Sequence, residues 1–473
     1  MRSLAEGVLA GKYVKVQVLS VLDTLMTTTY WLVATLALAN TASGSVNAVV
    51  LAVSVASLLR PIAEPPTNHG FRFLLRTYMG LGRKGVVRFG KLYWSSVALN
   101  ALLSSGVGTA LLVSWVVTRV DIFLWASMLA FSSTASLPAQ LPALLFDDAP
   151  YFRIVLLSNF VRYALLYIMW RGAVSPQPCF ESFLAGSLLA LAAGIGYAAW
   201  RGVGPRAWDA SEVRGAMRVG APAWLEGVGT TIAKWGVLAT VAIAARFGLV
   251  SPSGPYYIFT AFLIGNIIAA LLGEWVNVVL LARSGDQHLL PVKVVGVASG
   301  MAFPFATYFT LSTLHSTADA GTALLAGALL ASMPIDLLGS LLSSRAYTAM
   351  VPGGIRVLRV YALAQFLAPV ITYGVYLGLV VMLGRALTAI ALPYLAIRLL
   401  SLMISKSMSR AFLQVTIIIV AMIVPLLICV GLAFSFPTVF SNVLWVTVLS
   451  AVLASLNGVL TNIFKGHSGQ PSV

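Results

Sequence analysis

Long apolar runs, broken by short polar stretches, dominate this sequence. Fourteen of them reach the length at which a helix can cross a bilayer: 14–38, 46–63, 91–116, 122–145, 151–170, 180–200, 220–245, 254–281, 290–314, 320–344, 355–382, 386–405, 412–434 and 438–463. A transmembrane helix needs about 20 apolar residues. The runs predict helices, because a backbone exposed to lipid must satisfy its own hydrogen bonds. A barrel would instead show short segments of alternating polarity. The pattern therefore predicts an all-α integral membrane protein with about 14 transmembrane helices.

Composition agrees. Of 473 residues, 59% are hydrophobic and only 9% charged, whereas soluble domains carry about 25% charge. Too little chain remains between spans for a separate soluble catalytic domain, a nucleic-acid-binding domain or a receptor ectodomain. The net charge of +16 would suggest nucleic acid in a soluble protein. Here it sorts by side. With the N-terminus in the cytoplasm, 24 of the 30 basic residues fall in cytoplasmic segments. Four (Arg119, Arg171, Arg246 and Arg385) fall outside, and Arg162 and Lys234 lie within spans. That asymmetry sets orientation. It places both termini in the cytoplasm of a multi-pass cell-membrane protein and leaves no nucleic-acid partner to infer. Cys179 and Cys429 lie in different settings, and the four histidines are scattered. No disulfide framework, metal site or cofactor follows. The first span has no small-residue cleavage site and reads as a retained helix.

The chain also reads as duplicated. WLVATLALA at 31–39 answers WGVLATVAIA at 235–244, and Asn159-Phe160 answers Gln365-Phe366, both at an offset near 205. Six spans per repeat give parallel halves, an architecture of transporters with the substrate site between the repeats. The expected organisation is a six-helix bundle over 1–204, a second over 205–410, and an additional helix pair over 411–473. The polar, cytoplasmic stretch Arg201–Gly220 forms the seam. Phe71–Lys91 (FRFLLRTYMGLGRKGVVRFGK) mixes basic residues with Phe, Leu and Tyr. It reads as an interfacial segment that binds anionic inner-leaflet lipids, or as a plain basic loop.

This pattern resembles the MOP superfamily of multidrug extruders, oligosaccharidyl-lipid flippases and polysaccharide exporters. The resemblance covers essentially the whole chain. It rests on two six-helix bundles, the cytoplasmic seam and the extra helix pair. It also rests on the run GAPAWLEGVGTTIAKWGVLATVAIAARFGLVSPSGPYYIFTAFLIGNIIAALL, which is similar to the family's seventh helix, external turn and eighth helix. Arg60 and the basic stretch after it resemble the family's loop between helices two and three. Fourteen spans and a diverged repeat fit the polysaccharide-flippase branch. That branch implies a flippase for polyprenyl-linked sugars, with helices one, two, seven and eight lining a cavity.

Charged residues within spans are the candidate functional groups, since each costs at least about 3 kcal/mol at mid-bilayer without a partner or water. Asp23 lies about 13 Å along span one, Arg162 about 16 Å along span five, and Glu226 and Lys234 about 9 and 21 Å along span seven. Aligning Trp31 on Trp235 sets Asp23 level with Gly227, next to Glu226. Glu226, Thr230 and Lys234 follow an i, i+4, i+8 spacing and share one helical face. Lys234, Arg60 and Arg162 are expected to hold a phosphate or pyrophosphate. Asp23 and Glu226 are expected to bind a proton or sodium ion, with Thr230 on the same polar stripe. The alternative is structural: Asp23 pairs with Lys234 and locks the two lobes, and Arg162 pairs with Asp336 or caps a buried carbonyl.

The leading expectation is thus a non-enzymatic flippase for a lipid-linked oligosaccharide or polysaccharide precursor, working by alternating access. Its rivals are an ion-coupled multidrug or cation extruder of the same superfamily, and a membrane-embedded lipid-sugar transferase. The only acidic pair, Asp147-Asp148, sits at a cytoplasmic helix end and reads as solvated. Pro138, Pro142, Pro304, Pro334 and Pro369 interrupt spans and predict kinks.

Overall fold

The computed structural model describes residues 2–41, 43–70, 82–145, 147–170, 175–281, 290–317, 319–334 and 412–467, with positions 74 and 337 and isolated positions between 362 and 378. The described residues form helices and no strands. Nine of the described helical segments are long and apolar enough to cross a membrane, and three further apolar helices are shorter. The protein is a multi-pass, all-α membrane protein.

The chain divides into two compact units. Unit 1 comprises Met1–Ile243 with Gln365–Leu367, and unit 2 comprises Ala244–Ala364 with Ala368–Val473. Unit 1 holds α1 (Arg2–Thr41), α2 (Ser43–Ala63), α3 (Gly82–Thr118), α4 (Asp121–Ser132), α5 (Ser136–Leu144), α6 (Asp148–Trp170), α7 (Gln177–Trp200) and nearly all of α8 (Ala210–Arg246). Unit 2 holds α9 (Gly254–Leu281), α10 (Leu290–Thr317), α11 (Ala320–Ala331), α12 (Phe412–Ser435) and α13 (Val443–His467).

Several helices extend past their apolar runs. α3 begins at Gly82, where the apolar pattern places a start near residue 91. Its 37 residues span about 55 Å, more than a hydrocarbon core of about 30 Å, so one end projects from the membrane. α8 begins at Ala210, where the pattern places a start near residue 220. Asp209 explains the added turns. Its Oδ1 accepts from the Ser211 and Glu212 amides at 3.1 and 3.3 Å, the arrangement of a helix N-cap. The projecting ends of α3 and α8 are tied together. Arg88 Nε donates to Glu212 Oε1 at 2.6 Å, and Lys91 Nζ to Asp209 Oδ2 at 3.2 Å. Two basic residues of the expected lipid-binding stretch are thus in ion pairs; residues 71–73 and 75–81 of it lie outside the described set.

Span four is broken. A 3-10 turn at Ser133–Ala135 separates α4 from α5, just before Pro138. Proline lacks an N–H and its ring crowds the preceding turn, so a tighter turn takes up the change in direction. Pro142 also leaves the Pro138 carbonyl without its usual helical donor. Gly194 of α7 packs directly on that carbonyl, and a Cβ there would collide with it. Pro304 is accommodated inside α10, and α11 ends at Ala331 with Ser332 as its C-cap, two residues before Pro334. Pro369, Asp336 and most of spans eleven and twelve lie outside the described residues.

Gly202 and Gly248 close α7 and α8 in the same way. Each has positive φ, +71° and +70°, which favours glycine. Val203 and Leu249 amides then reach back to Ala198 and Ala244 carbonyls, both at 2.9 Å, capping the helix ends.

In unit 2, α12 and α13 pack on α10 around Phe303, Cys429, Phe440, Val446 and Leu453. Asn457 Nδ2 donates to the Gly296 carbonyl at 2.9 Å. Gly300 lets the backbone of Ala454 approach α10 closely. The extra helix pair is therefore joined to span nine by small residues and a buried polar contact, as membrane helices pack.

Candidate functional site

The charged residues of spans one and five meet inside unit 1. On α1, Asp23, Thr27 and Tyr30 share a face at i, i+4 and i+7. They face Asn159, Arg162 and Tyr163 of α6, and Ser182, Phe183, Gly186 and Ser187 of α7. Asn159 Nδ2 donates to Asp23 Oδ1 at 3.1 Å and to the Val155 carbonyl at 2.9 Å. Its Oδ1 accepts from Arg162 Nη1 at 3.1 Å. The amide orientation follows from this contrast: two acceptors face its nitrogen and a cation faces its oxygen.

Arg162 is only 8% exposed. Beyond Asn159, Nη1 donates to Thr27 Oγ1 and Nη2 to Ser187 Oγ, both at 3.2 Å. The guanidinium lies over the Phe183 ring, 4.3 Å from its centroid, a cation–π geometry. Gly186 makes room for the stem, since a Cβ there would collide with Arg162 Cγ. The Arg162 Nε is buried without a protein partner.

An aromatic layer closes the cluster. Tyr30 is fully buried, and its hydroxyl donates to the Cys179 carbonyl at 2.5 Å beside Ser182 Oγ at 2.6 Å. Tyr163 donates to the Met26 carbonyl at 2.8 Å and meets the Tyr30 ring edge-on. Trp31 packs on Phe180 and Phe183. The Asp23 carboxylate, the Asn159 amide, the Thr27 and Ser187 hydroxyls and the Arg162 guanidinium are thereby held on three helices by packed rings.

The other expected residues are placed differently. Arg60 forms an i, i+4 ion pair with Glu64 at 3.0 Å and is 61% exposed. Such exposed pairs contribute little stability. Glu226, Thr230 and Lys234 all lie half-buried on α8, and Glu226 and Lys234 both interact with neighbouring groups. Two residues before Glu226 on the same helix, Trp224 Nε1 donates to the Pro61 and Glu64 carbonyls at 3.0 and 3.1 Å. These carbonyls belong to the end of α2, where helical partners run out. Gly70 and Gly220 permit backbone contact there, Gly70 against Ala216 and Gly220 against Pro66.

The acidic pair is engaged rather than simply solvated. Asp147 accepts from Tyr197 Oη at 2.9 Å and Arg201 Nη2 at 2.6 Å, and Asp148 lies 3.8 Å from Lys15.

No family model matches the sequence, and no curated protein matches it. Solved structures do. The chain is similar to a MOP superfamily transporter from Pyrococcus furiosus, described as having a binding pocket of reverse polarity that suggests a different function. That match has 14% identity and a TM-score of 0.53, over 85% of this chain and 96% of that one. It is similar to an outward-facing multidrug resistance MATE family transporter at 13% identity and TM-score 0.55, over 86% and 96%. It is also similar to the eukaryotic MATE transporter AtDTX14 at 14% identity and TM-score 0.55, over 89% and 99%. At such identities the likeness is one of fold. The chain shares the fold of these solved transporters, the fold that the sequence resemblance implies.

Proposed function

We propose that this chain is an alternating-access membrane transporter whose cargo is a lipid-linked oligosaccharide or polysaccharide precursor, carried on a polyprenyl phosphate or pyrophosphate. The fold supports transport. The observation that carries the choice of cargo is the burial of Arg162 against the Asp23 network. A site selecting cationic drugs gains from uncompensated carboxylates. Here the helix-one carboxylate is already joined to a guanidinium through the Asn159 amide, which favours anionic cargo. In this reading Lys234 meets the phosphate as a point charge and Arg60 approaches it from the end of α2. Thr230 hydrogen-bonds within the same stripe, and Glu226 takes a proton or sodium ion. Anionic inner-leaflet lipids bind the Phe71–Lys91 segment.

Thermal unfolding of the purified protein with added lipids tests this. Polyprenyl phosphate should raise the midpoint, and the uncharged polyprenol of the same length should not. Equal shifts from both would remove the phosphate from the recognition step.

A second reading, an ion-coupled multidrug extruder, draws support from the multidrug transporter among the similar folds. A cationic dye that stabilises the protein where polyprenyl phosphate does not would favour it. The Pyrococcus furiosus protein is described as having a binding pocket of reverse polarity that suggests a different function, and a shared fold does not by itself set function.

A further inference from the structure

Thr27 Oγ1, Asn159 Oδ1, Ser187 Oγ and the Asp23 carboxylate form a set of hard oxygen donors. Oxygen donors of this kind suit a bare cation. In this chain three of the four accept hydrogen bonds from a single guanidinium, and the fourth joins it through the Asn159 amide. We propose that Arg162 is the resident counter-cation of Asp23. It fills the place a sodium ion would otherwise take, so Asp23 binds no exchangeable cation in the wild-type protein.

Three observations support this. Arginine keeps its charge under all physiological conditions, so the compensation is permanent. Arg162 is 8% exposed, with its guanidinium stacked over Phe183 and its stem running past Gly186. A small ion cannot replace it without unpacking α6 from α7. Finally, the pair is neutral, and an added sodium ion would leave one net positive charge among apolar helices, which is costly. The sequence expectation of a coupling ion at Asp23 arises because the carboxylate is visible on its own helix, while the residues that deliver the cation lie on two others. The inference shares with the proposed function only the Arg162–Asp23 pairing. It concerns the resting charge of unit 1 and is tested without cargo.

The experiment is equilibrium binding of radiolabelled sodium to the purified full-length protein in detergent. Wild type and Asp23→Asn should bind sodium equally, with no Asp23-dependent site. Arg162→Gln should gain one sodium site, lost again in Arg162→Gln/Asp23→Asn. Millimolar free guanidinium should displace that sodium, and Arg162→Lys should not create the site. A sodium site in wild type that disappears in Asp23→Asn would overturn the proposal, and this comparison needs no Arg162 variant to fold. A folded Arg162→Gln protein that binds no sodium would also overturn it.

Discussion

Asp23 and Arg162, 139 positions apart in sequence, are joined through one amide: Asn159 donates to the carboxylate and accepts from the guanidinium, both at 3.1 Å. Replacing Asn159 by leucine removes both links and leaves two charged groups short of partners. Hydrogen bonds to charged groups contribute about 1.5–3 kcal/mol each. Asn159→Leu should therefore lower unfolding stability by about 2–3 kcal/mol. Asp23→Asn in the same background should recover part of it, because it removes one of the stranded charges. Denaturant or thermal unfolding in detergent reads both; independent, additive losses would contradict the link.

Two glycines of α7 make a paired test of packing. Gly186 lies against Arg162 Cγ, while a Cβ at Gly196 would meet nothing within 4 Å. Gly186→Ala should lower the melting midpoint and displace the guanidinium from Ser187. Gly196→Ala should be neutral or mildly stabilising, since alanine favours helix by up to about 1 kcal/mol over glycine. The two midpoints decide it.

Arg88 and Glu212 illustrate the cost of a stranded charge. Glu212 is buried while Arg88 is about half exposed. Arg88→Ala should therefore destabilise more than Glu212→Gln, because only the former takes an ion-pair partner from a carboxylate that stays charged and buried. The double variant Arg88→Ala/Glu212→Gln should be more stable than Arg88→Ala alone. A double-mutant cycle on melting midpoints checks the order.

Asp209 supplies a pH signature. The Ser211 hydroxyl, then the Glu212 amide and Lys91, hold its carboxyl down at about 2. A carboxyl lowered on folding stabilises the native state above its ordinary range near 4, and that contribution disappears as pH falls through about 2. The gap in melting midpoint between wild type and Asp209→Ala should stay constant from pH 7 to about 5 and close toward about 2. A gap independent of pH over the whole range would show that the carboxylate's charge is not what caps α8.

Hydrophobic periodicity located the membrane-crossing parts of the described helices, because lipid imposes the same demand on every span. It misplaced the starts of α3 and α8, where the helix continues into water and is held by Asp209 and two ion pairs. Local cap chemistry was readable there: Asp209-Ala-Ser-Glu212 is a capping pattern. The candidate site was half legible. Asp23 and Arg162 stood out as charges within spans, and Asn159 lies three residues from Arg162 on the same helix. Ser187, Phe183 and Gly186 carried no signal, since a serine, a phenylalanine or a glycine in an apolar helix is ordinary until a neighbour is known. Arg60 was legible only in part: its place at a helix end suggested a phosphate ligand, and the structure adds that Glu64 one turn later pairs with it.

Translocation in reconstituted vesicles tests most directly the proposal that this chain moves anionic lipid-linked cargo. A fluorescent polyprenyl-pyrophosphate sugar in one leaflet should cross in a protein-dependent manner. Lys234→Ala should slow that movement at least about tenfold, equivalent to 1.4 kcal/mol of lost interaction, and Lys234→Arg should largely preserve it. Vesicles that leave the labelled lipid in place while expelling a cationic dye would contradict the account.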